Sequence, residues 1–180
     1  VCTKYDMPLF IDGARLGYAL TATGNDVTLE DIARIADVFY IGGTKVGAMF
    51  GEAVVFTHGN MPKNFVTLVK QHGALLAKGW LLGVQFDTLF TDDLYCRIAR
   101  HANDAADRIR EVLVERGYTL TFDAPTNQIF ITLDNATSER LQRNVRLGFM
   151  EKADDTHTVM RICTSWATTD EQVEQLIALL

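Results

Sequence analysis

Asp12-Gly13-Ala14-Arg15 and Gly42-Gly43-Thr44-Lys45 each follow a short apolar run, and Arg161 stands inside a third, Val159-Met160-Arg161-Ile162-Cys163. In open α/β sheets ligands bind beyond the carboxyl ends of strands, so an acid and a base at Asp12 and Arg15 are placed for a ligand. The other reading is a strand-end aspartate that caps the next turn and pairs with Arg15. At the second cluster, two glycines allow close approach of the backbone to a ligand, and the lysine can serve as an amine nucleophile. A loop lysine can equally be a solvated surface charge. A phosphate-binding P-loop is excluded, because that motif ends Gly-Lys-Ser/Thr after four intervening residues, whereas Val46 follows Lys45. Arg161 needs a partner, since a charge within a buried strand costs several kcal/mol unless it is paired. A structural carboxylate would serve, and so would a substrate carboxylate gripped by the guanidinium fork.

The surrounding pattern supplies elements to hold these groups. Val1 to Asp6 reads as the last turn of a helix, and Met7 to Ile11 as a strand so apolar that it predicts burial on both faces. Val27 to Ala36 has helical spacing, with Thr28 and Asp31 as a capping-box-like start. Val38 to Ile41 and Ala53 to Phe56 read as buried strands, and 64–90 as helical with breaks near Gly73 and Gly79. Thr91-Asp92-Asp93 reads as the cap of a long amphipathic helix to about Arg116, a plausible domain connector. Beyond it, Tyr118 to Phe122, Gln128 to Leu133 and Val159 to Cys163 read as strands. Ser138 to Arg146 reads as a helix, and Thr169 with Gln172 caps a terminal one. The prediction is α/β: residues 1–90 form the C-terminal part of a larger layer with a mostly parallel sheet, and 91–180 a small α+β domain.

Composition narrows the function classes. The 180 residues are 48% apolar and 22% charged, with a net charge of −6. That acidic balance argues against binding a nucleic-acid backbone, which calls for a basic face. The most apolar stretch, Ala74 to Val84, is short and interrupted by Lys78, so no membrane span is expected. Cys2, Cys96 and Cys163 are odd in number and widely spaced, which fits a reduced compartment better than disulfides or a zinc site. A soluble cytoplasmic protein without a metal centre is expected.

Taken together, an acid at one strand end, a lysine 33 residues on at the next, and an arginine in a following small domain are what pyridoxal 5'-phosphate (PLP) chemistry asks for. The lysine forms an imine with the cofactor aldehyde, and the acid holds the pyridine nitrogen protonated so that the ring becomes an electron sink. Pro8-Leu9-Phe10-Ile11-Asp12-Gly13-Ala14-Arg15-Leu16-Gly17 resembles the Asp-Gly-Ala-Arg segment of low-specificity threonine aldolases, members of the fold type I (aspartate aminotransferase) superfamily. Phe39 to Ala48 resembles the region of their Schiff-base lysine. The resemblance extends over the whole chain, carried by motif in the first half and by pattern in the second.

That resemblance implies that Lys45 is the imine lysine, Asp12 the partner of the pyridine nitrogen, and Arg15 a hydrogen-bond donor to the phenolic oxygen. It puts Arg161 in the role of substrate-carboxylate arginine and Lys78 in that of a phosphate-binding residue. His72 reads as a helix-surface or core histidine. The implied reaction is cleavage of a β-hydroxy-α-amino acid to glycine and an aldehyde by a homodimer or homotetramer with shared sites. A β-eliminating lyase, an aminotransferase and a catalytically silent fragment are the alternatives. Members of that family are longer, and the phosphate cradle and the aromatic residue stacked on the ring lie in their N-terminal part. A missing N-terminal segment is therefore expected.

Overall fold

The computed structural model describes residues 1–180, and its backbone divides into two units: Val1–Leu20 with Asn25–Arg97, and Thr21–Gly24 with Ile98–Leu180. In the first unit a 3-10 turn, Thr3–Tyr5, precedes the strand β1, Phe10–Ile11. The helices α1, Leu16–Leu20, and α2, Leu29–Ile35, lead to β2, Val38–Gly42, and β3, Glu52–Phe56. The Thr28–Asp31 capping box at α2 is fully formed, with the threonine hydroxyl accepting from the Asp31 amide and the aspartate accepting from the Thr28 amide.

These strands form one sheet in the order β1-β2-β3. β1 runs parallel to β2, with Phe10 beside Val38 and Ile11 beside Phe39, as an α/β layer requires. The expected mostly parallel sheet needs a correction at β3, which pairs antiparallel to β2, Tyr40 lying opposite Val54. The cause is the connection: residues 43–51 are too few for the helical crossover that joins parallel strands. Burial is also one-sided. Phe39 and Ile41 are buried, whereas Phe10 is 59% and Val54 50% exposed on the opposite face.

The helical stretch that follows breaks where the glycines predicted. α3 spans Phe65–Gln71 and α4 Trp80–Phe90, and Gly73 takes a left-handed φ of 70° beyond the end of α3. Thr91-Asp92-Asp93 does not cap the next helix as expected. It forms a 3-10 turn with left-handed φ of 50° at Asp92 and 56° at Asp93, so these residues turn the chain. The long helix α5 is Leu94–Glu115.

The second unit is a four-stranded antiparallel sheet in the order β4-β5-β7-β6, with β4 Thr119–Leu120, β5 Gln128–Asp134, β6 Gly148–Lys152 and β7 His157–Cys163. Helices α6, Asn135–Gln142, and α7, Asp170–Leu179, complete it. α6 begins three residues before the expected Ser138 because Asp134 supplies the N-cap, accepting from the Thr137 amide, and it ends at Gln142, short of the expected Arg146. The Thr169–Gln172 capping box of α7 is present. Alternation on β5 and β7 turns Ile129, Ile131, Leu133, Met160 and Ile162 into a core with Ala106, Ile109 and Leu113 of α5, Leu141 of α6 and Val173 of α7. The opposite face carries Gln128, Phe130 and Arg161. No helix is long and apolar enough to cross a membrane.

Candidate active site

In the first unit, parallel pairing of β1 with β2 puts both carboxyl ends at one edge of the sheet. The Asp12 loop and the Lys45 loop meet there backbone to backbone, the Gly42 amide donating to the Gly13 carbonyl at 2.8 Å. The glycines make this approach possible. A Cβ on Gly13 would lie 1.7 Å from the Tyr40 carbonyl oxygen, and one on Gly42 would lie 2.4 Å from that of Ala14. The sequence had attributed the Gly42-Gly43 pair to close approach of a ligand. Here both glycines are used against protein: Gly42 against the Asp12 loop, and Gly43 against the Gly51 carbonyl and the Phe86 ring.

Three residues that sequence reasoning missed hold the two loops. Tyr95, 1% exposed at the start of α5, donates to the Gly42 carbonyl at 2.9 Å and accepts from the Gly17 amide at 3.1 Å. Burial pushes its phenol well above the ordinary value. Glu52, the first residue of β3, accepts from the Gly43 amide at 2.7 Å and the Thr44 hydroxyl at 3.3 Å, which fixes the turn just before Lys45. Tyr18 of α1 donates its hydroxyl to the Lys45 carbonyl. The rest of the loop is anchored by α4, where Gln85 accepts from the Met49 amide at 2.7 Å.

Asp12 accepts at Oδ1 from the Tyr40 hydroxyl and from the Ala14 amide, the latter at 2.9 Å. The Tyr40 bond, the Ala14 bond and the nearby charges of Lys45 and Arg15 hold its carboxyl below the ordinary 3.8. Tyr40 is raised in turn to about 12, chiefly by the same bond. The capping reading of Asp12 is thus met by the Ala14 amide, but its pairing with Arg15 is not: Arg15 forms no salt bridge. Arg15 is half-buried and its guanidinium has no hydrogen-bond partner, and the exposed Lys45 amine has none either. Lys78 is exposed in the connection between α3 and α4 and makes no contact with Asp12, Arg15 or Lys45. His72 is exposed at the end of α3, in keeping with a surface reading.

Arg161 lies in the second unit, half-buried on β7 opposite Phe130 of β5 and Gly148 of β6. No carboxylate pairs with it, which removes the structural-carboxylate reading. Its Nη1 donates to the neutral Gln128 Oε1 at 3.1 Å, and its buried Nε has no partner. A half-buried guanidinium answered only by an amide oxygen keeps hydrogen-bonding capacity for a further acceptor. His, Cys, Asp and Glu side chains form no group able to hold a metal ion.

Comparison with known proteins places this geometry. The chain is 29% identical over 176 residues to a low specificity L-threonine aldolase of Pseudomonas aeruginosa, covering 97% of this chain and 50% of that protein. A second such enzyme, from another Pseudomonas strain, is also 29% identical over 178 residues. The chain spans about half the length of these curated relatives. Among solved structures, a Leishmania major threonine aldolase superposes with a TM-score of 0.95 at 40% identity, covering 99% of this chain and 52% of that one. A serine palmitoyltransferase of Sphingomonas wittichii, 18% identical with a TM-score of 0.67, shares the fold. The family model described as beta-eliminating lyase matches residues 1–137, and the chain belongs to that family.

Proposed function

We propose that this chain carries the lysine, ring-nitrogen acid and carboxylate arginine of a PLP-dependent aldolase that cleaves a threonine-like β-hydroxy-α-amino acid to glycine and an aldehyde. The observation that carries the reading is the joining of the Asp12 and Lys45 loops at one sheet edge through the Gly42–Gly13 hydrogen bond. The similarity to threonine aldolases supports the reaction class. The donor set fits PLP: an amine without a hydrogen-bond partner for the aldehyde, an ionised carboxylate with Oδ2 unengaged for a cationic ring nitrogen, and an Arg15 guanidinium without a hydrogen-bond or salt-bridge partner for the anionic phenolic oxygen.

In this reading Lys45 binds the cofactor and yields its place to the substrate amine. Asp12 holds a proton at the ring nitrogen. Arg15 donates to the phenolic oxygen, and Lys78 adds positive charge for the phosphate. Arg161 grips the substrate carboxylate and so sets which Cα bond is aligned for cleavage. When bound, PLP supplies the electron sink that stabilises the charge left on Cα. Residues 1–90 act as the C-terminal part of the large cofactor-binding domain and 91–180 as the small domain. The phosphate cradle comes from the part of the subunit that relatives possess and these 180 residues do not include. The working form is a cytoplasmic homodimer or homotetramer with shared sites.

The test is product analysis with threonine and PLP. Glycine and acetaldehyde in equal amounts, abolished by Lys45→Ala, are the expected outcome. A keto acid with ammonia would assign a β-elimination instead, and aldehyde release undiminished in Lys45→Ala would contradict the reading.

A further inference from the structure

Strand register explains why a tyrosine stands beside Asp12. Phe10 pairs with Val38 across the parallel β1–β2 ladder, and side chains two residues apart share a face, so position 12 follows 10 as position 40 follows 38. The Tyr40 hydroxyl reaches Asp12 Oδ1, the same oxygen that accepts from the Ala14 amide, while Oδ2 accepts no hydrogen bond. The Tyr40 ring is itself braced against Phe10, with centroids 6.1 Å apart and the rings tilted by 36°. Lys45, Arg15 and Glu52 are the other charged groups whose fields reach this pair.

We propose that Tyr40 is a positioning residue for Asp12: with the Ala14 amide it occupies Oδ1 and fixes the carboxylate plane, so that Oδ2 is the oxygen presented to a protonated pyridine nitrogen. The inference rests on the PLP reading above and adds to it a residue that acts through Asp12. A carboxylate free to rotate would offer either oxygen and lose part of its binding energy in being ordered. One already held on one oxygen has met that cost on folding. The bond is also charge-assisted, so the phenol stays protonated well past its ordinary range and the aspartate stays ionised at neutral pH.

Two measurements on this chain test the proposal. The first is absorbance titration of the phenols at alkaline pH, with Tyr40 identified by subtracting the Tyr40→Phe curve. Tyr40 is expected to titrate near 12 and to return toward 10 in an Asp12→Asn background. The second compares affinity for PLP with affinity for 1-deaza-PLP, whose ring lacks the nitrogen. Wild type should prefer PLP, Asp12→Asn should lose the preference, and Tyr40→Phe should reduce it by about three- to tenfold, as loss of one hydrogen bond implies. A merely structural tyrosine would weaken both ligands equally. A phenol titrating near 10 whatever stands at position 12, or a preference for PLP unchanged in Tyr40→Phe, overturns the proposal. Equal affinity of wild type for PLP and 1-deaza-PLP overturns the ring-nitrogen role of Asp12 on which the proposal rests, and a phenol still near 12 would then leave only a structural pair.

Discussion

At Asp12, protonation has to disturb the Tyr40 and Ala14 hydrogen bonds at once, which is why the folded chain holds this carboxyl below 3.8. Its contribution to stability is complete above that ordinary value and is lost as pH falls through the lowered folded one. Denaturation curves for wild type and Asp12→Asn should therefore keep a constant small gap from about pH 5 to about pH 9 and converge in acid. Tyr40 behaves in the opposite sense. Its raised value favours the fold below 10 and ceases to do so as pH rises through about 12. Asp12, Lys45 and Arg161 stand out in the sequence as candidates because each is a reactive type in an unusual place, at the end of an apolar run or inside one. Tyr40, Tyr95 and Glu52 do not, because each acts through a partner 28, 53 or 9 residues away. Of these only Tyr40 left a signal, its shared face with Asp12 once β1 and β2 are taken as parallel neighbours. For Arg161 the sequence leaves two kinds of partner open, and within this chain its partner is Gln128 and no carboxylate.

At the scale of elements, the two loops depend on absent side chains and one buried hydroxyl. Gly13→Ala puts a methyl 1.7 Å from the Tyr40 carbonyl, so the loop must move and the Gly42–Gly13 bond must break. A loss of about 1–3 kcal/mol in urea denaturation is expected, with loss of PLP binding to the folded protein. Gly148→Ala is the contrast, because its nearest neighbour is the Arg161 carbonyl oxygen at 3.4 Å and no shift is needed. Stability within about 0.5 kcal/mol of wild type is expected there. Tyr95→Phe removes the bonds to the Gly42 carbonyl and Gly17 amide without changing the packing, and about 1–3 kcal/mol should be lost. Local rules made several elements readable: the capping boxes at Thr28 and Thr169 and the breaks at Gly73 and Gly79 all stand where the sequence put them. β6 went unseen because its residues beyond Gly148 are all exposed and a bulge between Phe149 and Glu151 interrupts the alternation. The direction of β3 is likewise set by the length of its connection, which an apolar run by itself does not encode.

On the scale of the whole molecule, half the length of the relatives is matched and a good deal of apolar surface stays exposed. Met49, Trp80 and Val84 are 88%, 65% and 54% exposed, and Phe10 and Val54 leave one sheet face bare. Exposed apolar surface on this scale marks a place of association. A net charge of −6 at neutral pH keeps the remaining surface soluble. Light scattering should find a dimer or tetramer if the proposed shared sites hold, and a monomer would count against the proposed working form. Whether Lys45 is the cofactor lysine is decided by borohydride reduction of the protein with added PLP, followed by peptide mass mapping. A phosphopyridoxyl group on Lys45, absent from Lys45→Ala, is the predicted result. An unmodified Lys45, beside a full-length threonine aldolase that labels normally under the same conditions, would contradict it.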